Sequence, residues 1–70
     1  MTKLQFMKKA EAAFKRANPT ADYISWNVSP KLITYPTGVK GWSGKFYATA
    51  FGYSPRYVLA QGDDTYVMVR

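Results

Sequence analysis

The chain of 70 residues contains no cysteine and no histidine. The first absence excludes a disulfide, and the two together exclude zinc, haem and iron–sulfur sites built from those ligands. Carboxylates are scarce too: Glu11, Asp22, Asp63 and Asp64 are the whole set. Catalysis would have to draw on these four, on Lys, Tyr, Ser or Thr, or on a metal-assisted scheme. Glu11 falls on a helix surface, the Asp63–Asp64 pair falls in a turn, and nothing marks Asp22 as a partner for them. No G-x-G-x-x-G, G-x-x-x-x-G-K-[ST] or G-x-S-x-G motif occurs. A protein with no enzymatic activity, no bound metal and no cofactor is expected. Long apolar runs are also missing. No segment approaches the ~20 apolar residues of a membrane span, and residues 1–9 hold no continuous apolar stretch of the kind a signal peptide needs. A cytoplasmic location without membrane attachment is the corresponding expectation.

What is present is apolar, aromatic and basic. A domain this short buries only about 60% of its unfolded surface. Its stability must come from ordinary packing, for which 47% hydrophobic and 17% aromatic residues suffice. Ten Lys and Arg against four Asp and Glu give a formal charge of +6, which favours nucleic acid or an acidic protein as a partner. Neither the oligomeric state nor the choice between those partners is written in the composition.

The pattern predicts an α+β domain spanning residues 1–70: an N-terminal amphipathic helix packed on a twisted antiparallel sheet of four to five short strands. Phe6, Met7, Ala10, Ala13, Phe14 and Ala17 recur at helical spacing over residues 3–17. Thr2 with Gln5 matches a capping box, and Asn18-Pro19 stops the helix. Glu11 is placed to pair with Lys15 and Lys8 along the helix. Beyond residue 20, β-branched and aromatic residues alternate between Gly, Pro and Ser breaks. Strands are expected over 22–28, 31–35, 45–51, 57–61 and 65–69, with turns at Ser29-Pro30, 36–41, 52–55 and Gly62-Asp63-Asp64. The connections are too short for parallel crossovers, so the sheet should be antiparallel.

Alternation separates two faces. Ile24, Trp26, Val28, Phe46, Ala48, Ala50, Val58, Ala60, Val67 and Val69 form the expected core face. Opposite them stand Tyr23, Lys45, Tyr47, Thr49, Phe51, Tyr57, Leu59, Tyr66, Met68 and Arg70. One helix covers one face of a sheet. Either the sheet curls toward a small barrel that closes the tyrosine-rich side, or that side is open and binds something.

Two groups of residues are candidates for binding. The first is Lys8, Lys9, Lys15 and Arg16, on the helix side away from Phe6, Ala10 and Phe14. Residues 1–18 carry five basic groups and one acidic, a net +4, while residues 19–70 carry five and three, a net +2. The second is Lys40, Trp42, Lys45 and Tyr47, with Lys31 and Arg56 expected nearby and Tyr57 and Tyr66 as further stacking candidates. Trp42 lies between Gly41 and Ser43-Gly44, where its ring either folds onto one end of the core or reaches a partner. The leading functional expectation is nucleic-acid binding with little sequence specificity, the cations contacting phosphates and the rings stacking on bases. The alternative is a small adaptor or inhibitor that meets an acidic protein surface through the tyrosine-rich side or an exposed edge strand.

Overall fold

The computed structural model describes residues 1–21, 23–49 and 55–70. The first element is the expected helix, α1 (Lys3–Ala17). Its entry is held by the capping box: the Thr2 hydroxyl accepts from the Gln5 N–H at 3.2 Å, and Gln5 Oε1 accepts from the Thr2 N–H at 2.8 Å. Its exit is closed by Asn18, whose backbone N–H and side-chain amide both donate to the Phe14 carbonyl. Two otherwise orphaned N–H groups are satisfied at the N-terminus, and one otherwise orphaned carbonyl, doubly, at the C-terminus.

Five antiparallel strands follow: β1 (Tyr23–Ser25), β2 (Lys31–Thr34), β3 (Lys40–Thr49), β4 (Arg56–Gly62) and β5 (Val67–Val69). The sheet runs β1-β3-β4-β5, with β2 also paired to β3. Both β1 and β2 use the same side of β3, Ser25 opposite Tyr47 and Lys31 opposite Ser43. They are one long strand interrupted by a bulge, in which residues 26–30 span the length of residues 44–46. Each sheet neighbour is thus also a chain neighbour. Among the described residues β1 and β5 do not pair, so the sheet is open and does not close into a barrel.

The helix covers one face. Phe6, Ala10 and Phe14 from α1 are buried against Phe46 and Ala48 of β3 and Val58 and Ala60 of β4. Ala10 lets the helix approach closely. Phe14 meets Phe46 edge-on, with ring centroids 5.5 Å apart. Ile24, Trp26, Trp42, Val67 and Val69 pack around this centre.

Three sequence expectations are corrected by the bulge and by two glycines. Val28 belongs to no strand and is 58% exposed, because the chain must leave β3 after Ser25 before rejoining it at Lys31. Trp26 also lies beyond the end of β1, yet its ring stays in the core between Phe6 and Phe46. Its Nε1 donates to Glu11 Oε2 at 2.9 Å, so the Glu11 carboxylate serves a half-buried indole instead of the expected ion pairs with Lys8 and Lys15. A half-buried donor loses more by going unpaired than an exposed ion pair gains. Finally, β3 starts at Lys40, so Lys40 and Gly41 of the expected 36–41 loop are strand, as are residues 42–44 ahead of the expected start at 45. A Cβ on Gly41 would stand 2.5 Å from the Gly62 carbonyl oxygen, and one on Gly44 would stand 3.1 Å from Pro30. The two glycines mark places where neighbouring chain lies directly on β3, not a turn. Ala50, Phe51 and residues 52–54 of the turn expected over 52–55 fall outside the described residues, as does Asp22.

Candidate functional site

The strand registers place the candidate residues in rows across the face that α1 leaves uncovered. Directly paired residues of antiparallel strands share a face. One row is therefore Lys31, Ser43, Gln61 and Met68. The next is Lys45, Leu59 and Arg70, the last two joined by reciprocal backbone hydrogen bonds. Ser25, Tyr47 and Tyr57 form a third, and Tyr23 with Thr49 a fourth. Cations thus lie beside aromatics along the strand direction, one row apart.

This surface is open to solvent at its centre. Tyr57 is 53% exposed, Leu59 56% and Tyr23 52%. The Tyr47 and Tyr57 rings lie 5.0 Å apart between centroids, tilted by 48°. Lys45 Nζ stands 5.1 Å from the Tyr57 ring centroid, within the range of a cation–π contact. Beside the tyrosines runs a shallow trough. Ser43, Gly44 and Leu59 line its middle, Met68 and Arg70 one end, and Val28 and Lys31 the other.

The structure divides the two sequence-derived groups between opposite sides of the molecule. Lys8, Lys9, Lys15 and Arg16 are all exposed on α1, while Lys45, Tyr47 and Tyr57 share the uncovered sheet face. Arg56 pairs with Ala48 on the helix side of the sheet, its guanidinium 6.0 Å from the Phe14 ring centroid. Tyr66 borders the cleft between α1 and β5 with Lys9 and Arg16. Lys40 opens β3 opposite Thr34, away from both groups. Trp42 is drawn inward: its ring stacks on Phe6 at 6.5 Å, and its Nε1 donates to the Met1 carbonyl at 3.1 Å. The sequence reading set Arg70 on the tyrosine-rich face and Lys31 near the second group, without naming either as a contact residue. The register on either side of the bulge puts Lys31 in the first of these rows, and the pairing of Arg70 with Leu59 puts it in the second.

No family model matches the chain, and no curated protein or solved structure is significantly similar to it. Function is therefore argued from geometry alone.

The aspartate pair sits at the β4–β5 connection. Asp63 Oδ1 accepts from the backbone N–H groups of Thr65 (2.8 Å) and Tyr66 (3.1 Å), an Asx-type turn. Asp64 pairs with the N-terminal ammonium of Met1. That hydrogen bond, then the charge of the same ammonium and more weakly that of Lys9, hold the Asp64 carboxyl below the ordinary aspartate range. Among the described residues no group of three or more carboxylates gathers, and no helix is long and apolar enough to cross a membrane.

Proposed function

We propose that this domain binds single-stranded nucleic acid, with little sequence preference, across the sheet face opposite α1. The observation that carries the reading is the ring pair of half-buried Tyr47 and exposed Tyr57, with Lys45 over the Tyr57 ring. Every base has a π-face, so a platform of aromatic rings accepts any sequence, and each stacked base contributes about 1–3 kcal/mol. Lys45, Arg70 and Lys31, one and two rows away, supply cations for the backbone that links such bases. A duplex keeps its bases stacked on one another and offers these rings nothing. Binding without catalysis, in the cytoplasm, completes the proposal.

Fluorescence anisotropy with a labelled oligo-dT of about 20 nucleotides tests it, against a duplex of the same length. Three phosphate contacts predict a log–log salt slope near −2, at about −0.7 per phosphate for single strands. Replacing Lys45 and Arg70 with alanine should lower that slope by about 1.4. The Lys8→Ala/Lys15→Ala double variant should leave the slope nearly unchanged, because those residues lie on the far side of α1. Absence of saturable binding even at about 50 mM salt, or a slope that responds to Lys8 and Lys15 but not to Lys45 and Arg70, sinks the proposal.

A further inference from the structure

A second surface lies on the other side of the sheet edge, and it differs in chemistry from the tyrosine platform. Among the described residues β5 is the last strand of the sheet. Leu59 and Arg70 exchange both backbone hydrogen bonds, so by antiparallel alternation the Gln61–Met68 pair is bonded as well. The intervening residues Val67 and Val69 then turn their N–H and C=O groups outward, away from β4. Two donors and two acceptors stand along the free edge. The edge is also short of the devices that normally blunt one: Val67-Met68-Val69 contains no proline and no charge.

Helix α1 overhangs this edge. The cleft between them is lined by Lys9, Ala12, Ala13 and Arg16 on the helix and by Tyr66 and Val67 on the strand side. The two alanines leave room for incoming side chains. Lys9 and Arg16 are two helical turns apart, about 10.5 Å along the axis, both on the β5 side. Neither is in an ion pair among the described residues. The cleft lining contains no carboxylate, and the nearest, Asp64, is held by the N-terminal ammonium.

We infer that this cleft takes an extended acidic peptide segment of a partner protein, which adds to β5 as a further strand. Main-chain groups of Val67 and Val69 would supply the ladder, and Lys9 and Arg16 would meet carboxylates on the peptide side that faces the helix. Side chains on one face of a strand repeat every ~6.8 Å, so acidic residues at alternate positions fall within reach of both cations. Charge decides against a second copy of this chain: β5-to-β5 pairing would set two basic helices side by side. This inference does not depend on the nucleic-acid proposal, because the two surfaces share none of their cations.

The test uses a labelled peptide of about nine residues alternating Glu with Val or Thr, and a control with Lys in place of Glu. The acidic peptide should bind saturably and slow hydrogen exchange at the amides of Val67 and Val69. Lys9→Glu with Arg16→Glu, both exposed and free of core contacts, should weaken it at least about tenfold while leaving oligo-dT binding unchanged. Val69→Pro removes an outward N–H without breaking the ladder to β4, and should abolish peptide binding. Its circular dichroism confirms that the fold survives; if it does not, the exchange data on the wild type decide. Absence of binding by the acidic peptide overturns the inference. So does binding that leaves Val67 and Val69 amides unprotected, equal binding of the Lys peptide, or self-association through β5 seen by sedimentation.

Discussion

The two faces of the sheet are made by the same strands, and adjacent residues of one strand meet opposite fates. On β4, Val58 and Ala60 are fully or almost fully buried, while Tyr57 and Leu59, which alternate with them, are more than half exposed. The covered face is closed by shape: an alanine in the helix, glycines in β3 and five aromatic rings in mutual contact fill it. The uncovered face holds Tyr23, Tyr47, Tyr57 and Leu59 on the same strands, yet among the described residues no element packs over it. Burial potential left unused on one side of a small domain is more informative than burial achieved on the other, since large exposed aromatics confer little stability where they stand.

The comparison breaks most severely at Phe14. Phe14→Ala should cost about 3 kcal/mol in thermal or denaturant unfolding, the usual range for a buried phenyl ring, because Phe14 is 1% exposed and packs on Phe46. A loss under about 1 kcal/mol would mean that α1 is not docked through that ring. Gly41→Ala should come next, at about 1–3 kcal/mol, since its Cβ would meet the Gly62 carbonyl, a backbone atom with little freedom to move. On the open face the order of effects inverts. Tyr57→Ala should alter stability by less than about 1 kcal/mol but weaken oligo-dT binding by about 1–3 kcal/mol. Destabilisation comparable to Phe14→Ala would show that the face is part of the core after all.

The smallest effect belongs to Asp64. Its folded-state pKa is depressed, so its contribution is present above the unfolded pKa and is lost as pH falls through the lowered folded value. The wild type should therefore lose slightly more stability than Asp64→Asn below about pH 4. The two proteins should differ least at the acid extreme, where both side chains are neutral. Identical melting curves from pH 7 to 2 would show that the pair with the Met1 ammonium contributes nothing in solution, a common result for exposed ion pairs.

The helix was legible to the residue because its signals are local: the Thr2–Gln5 box, the Phe6–Ala10–Phe14 stripe and the Asn18-Pro19 stop all lie within one element. The two faces were legible for the same reason, as period-two alternation needs only the strand itself. What the sequence concealed is pairing at a distance. Val28 continues the alternation of Ile24 and Trp26, and nothing in residues 22–28 reveals that β3 has already been claimed by β2. Gly41 and Gly44 resemble turn residues until Gly62 and Pro30 are seen lying against them. Trp42 looked available because of those glycines. Alternation put Arg70 on the tyrosine face, but which rows Lys31 and Arg70 occupy depends on the two-residue offset in register at the bulge and on pairing that continues to the last residue.

The meander has a kinetic consequence. With β1 and β2 counted as one interrupted strand, every ladder in the sheet joins chain neighbours, so loop closure is inexpensive throughout, and such local topologies fold quickly. The exception is the docking of α1, which brings residues 3–17 onto strands some forty positions later. We expect the β3–β4 ladder to form first and the helix to settle on it afterwards. Phe14→Ala would then chiefly accelerate unfolding, with a φ-value of about 0–0.3, whereas Val58→Ala would slow folding with a value nearer 0.5–0.8. Chevron plots of the two variants measure both quantities, and a Phe14 value above that of Val58 would reverse the order. In the proposed sequence the tyrosine face exists before the core is sealed, and the nascent sheet passes through a state with both faces bare.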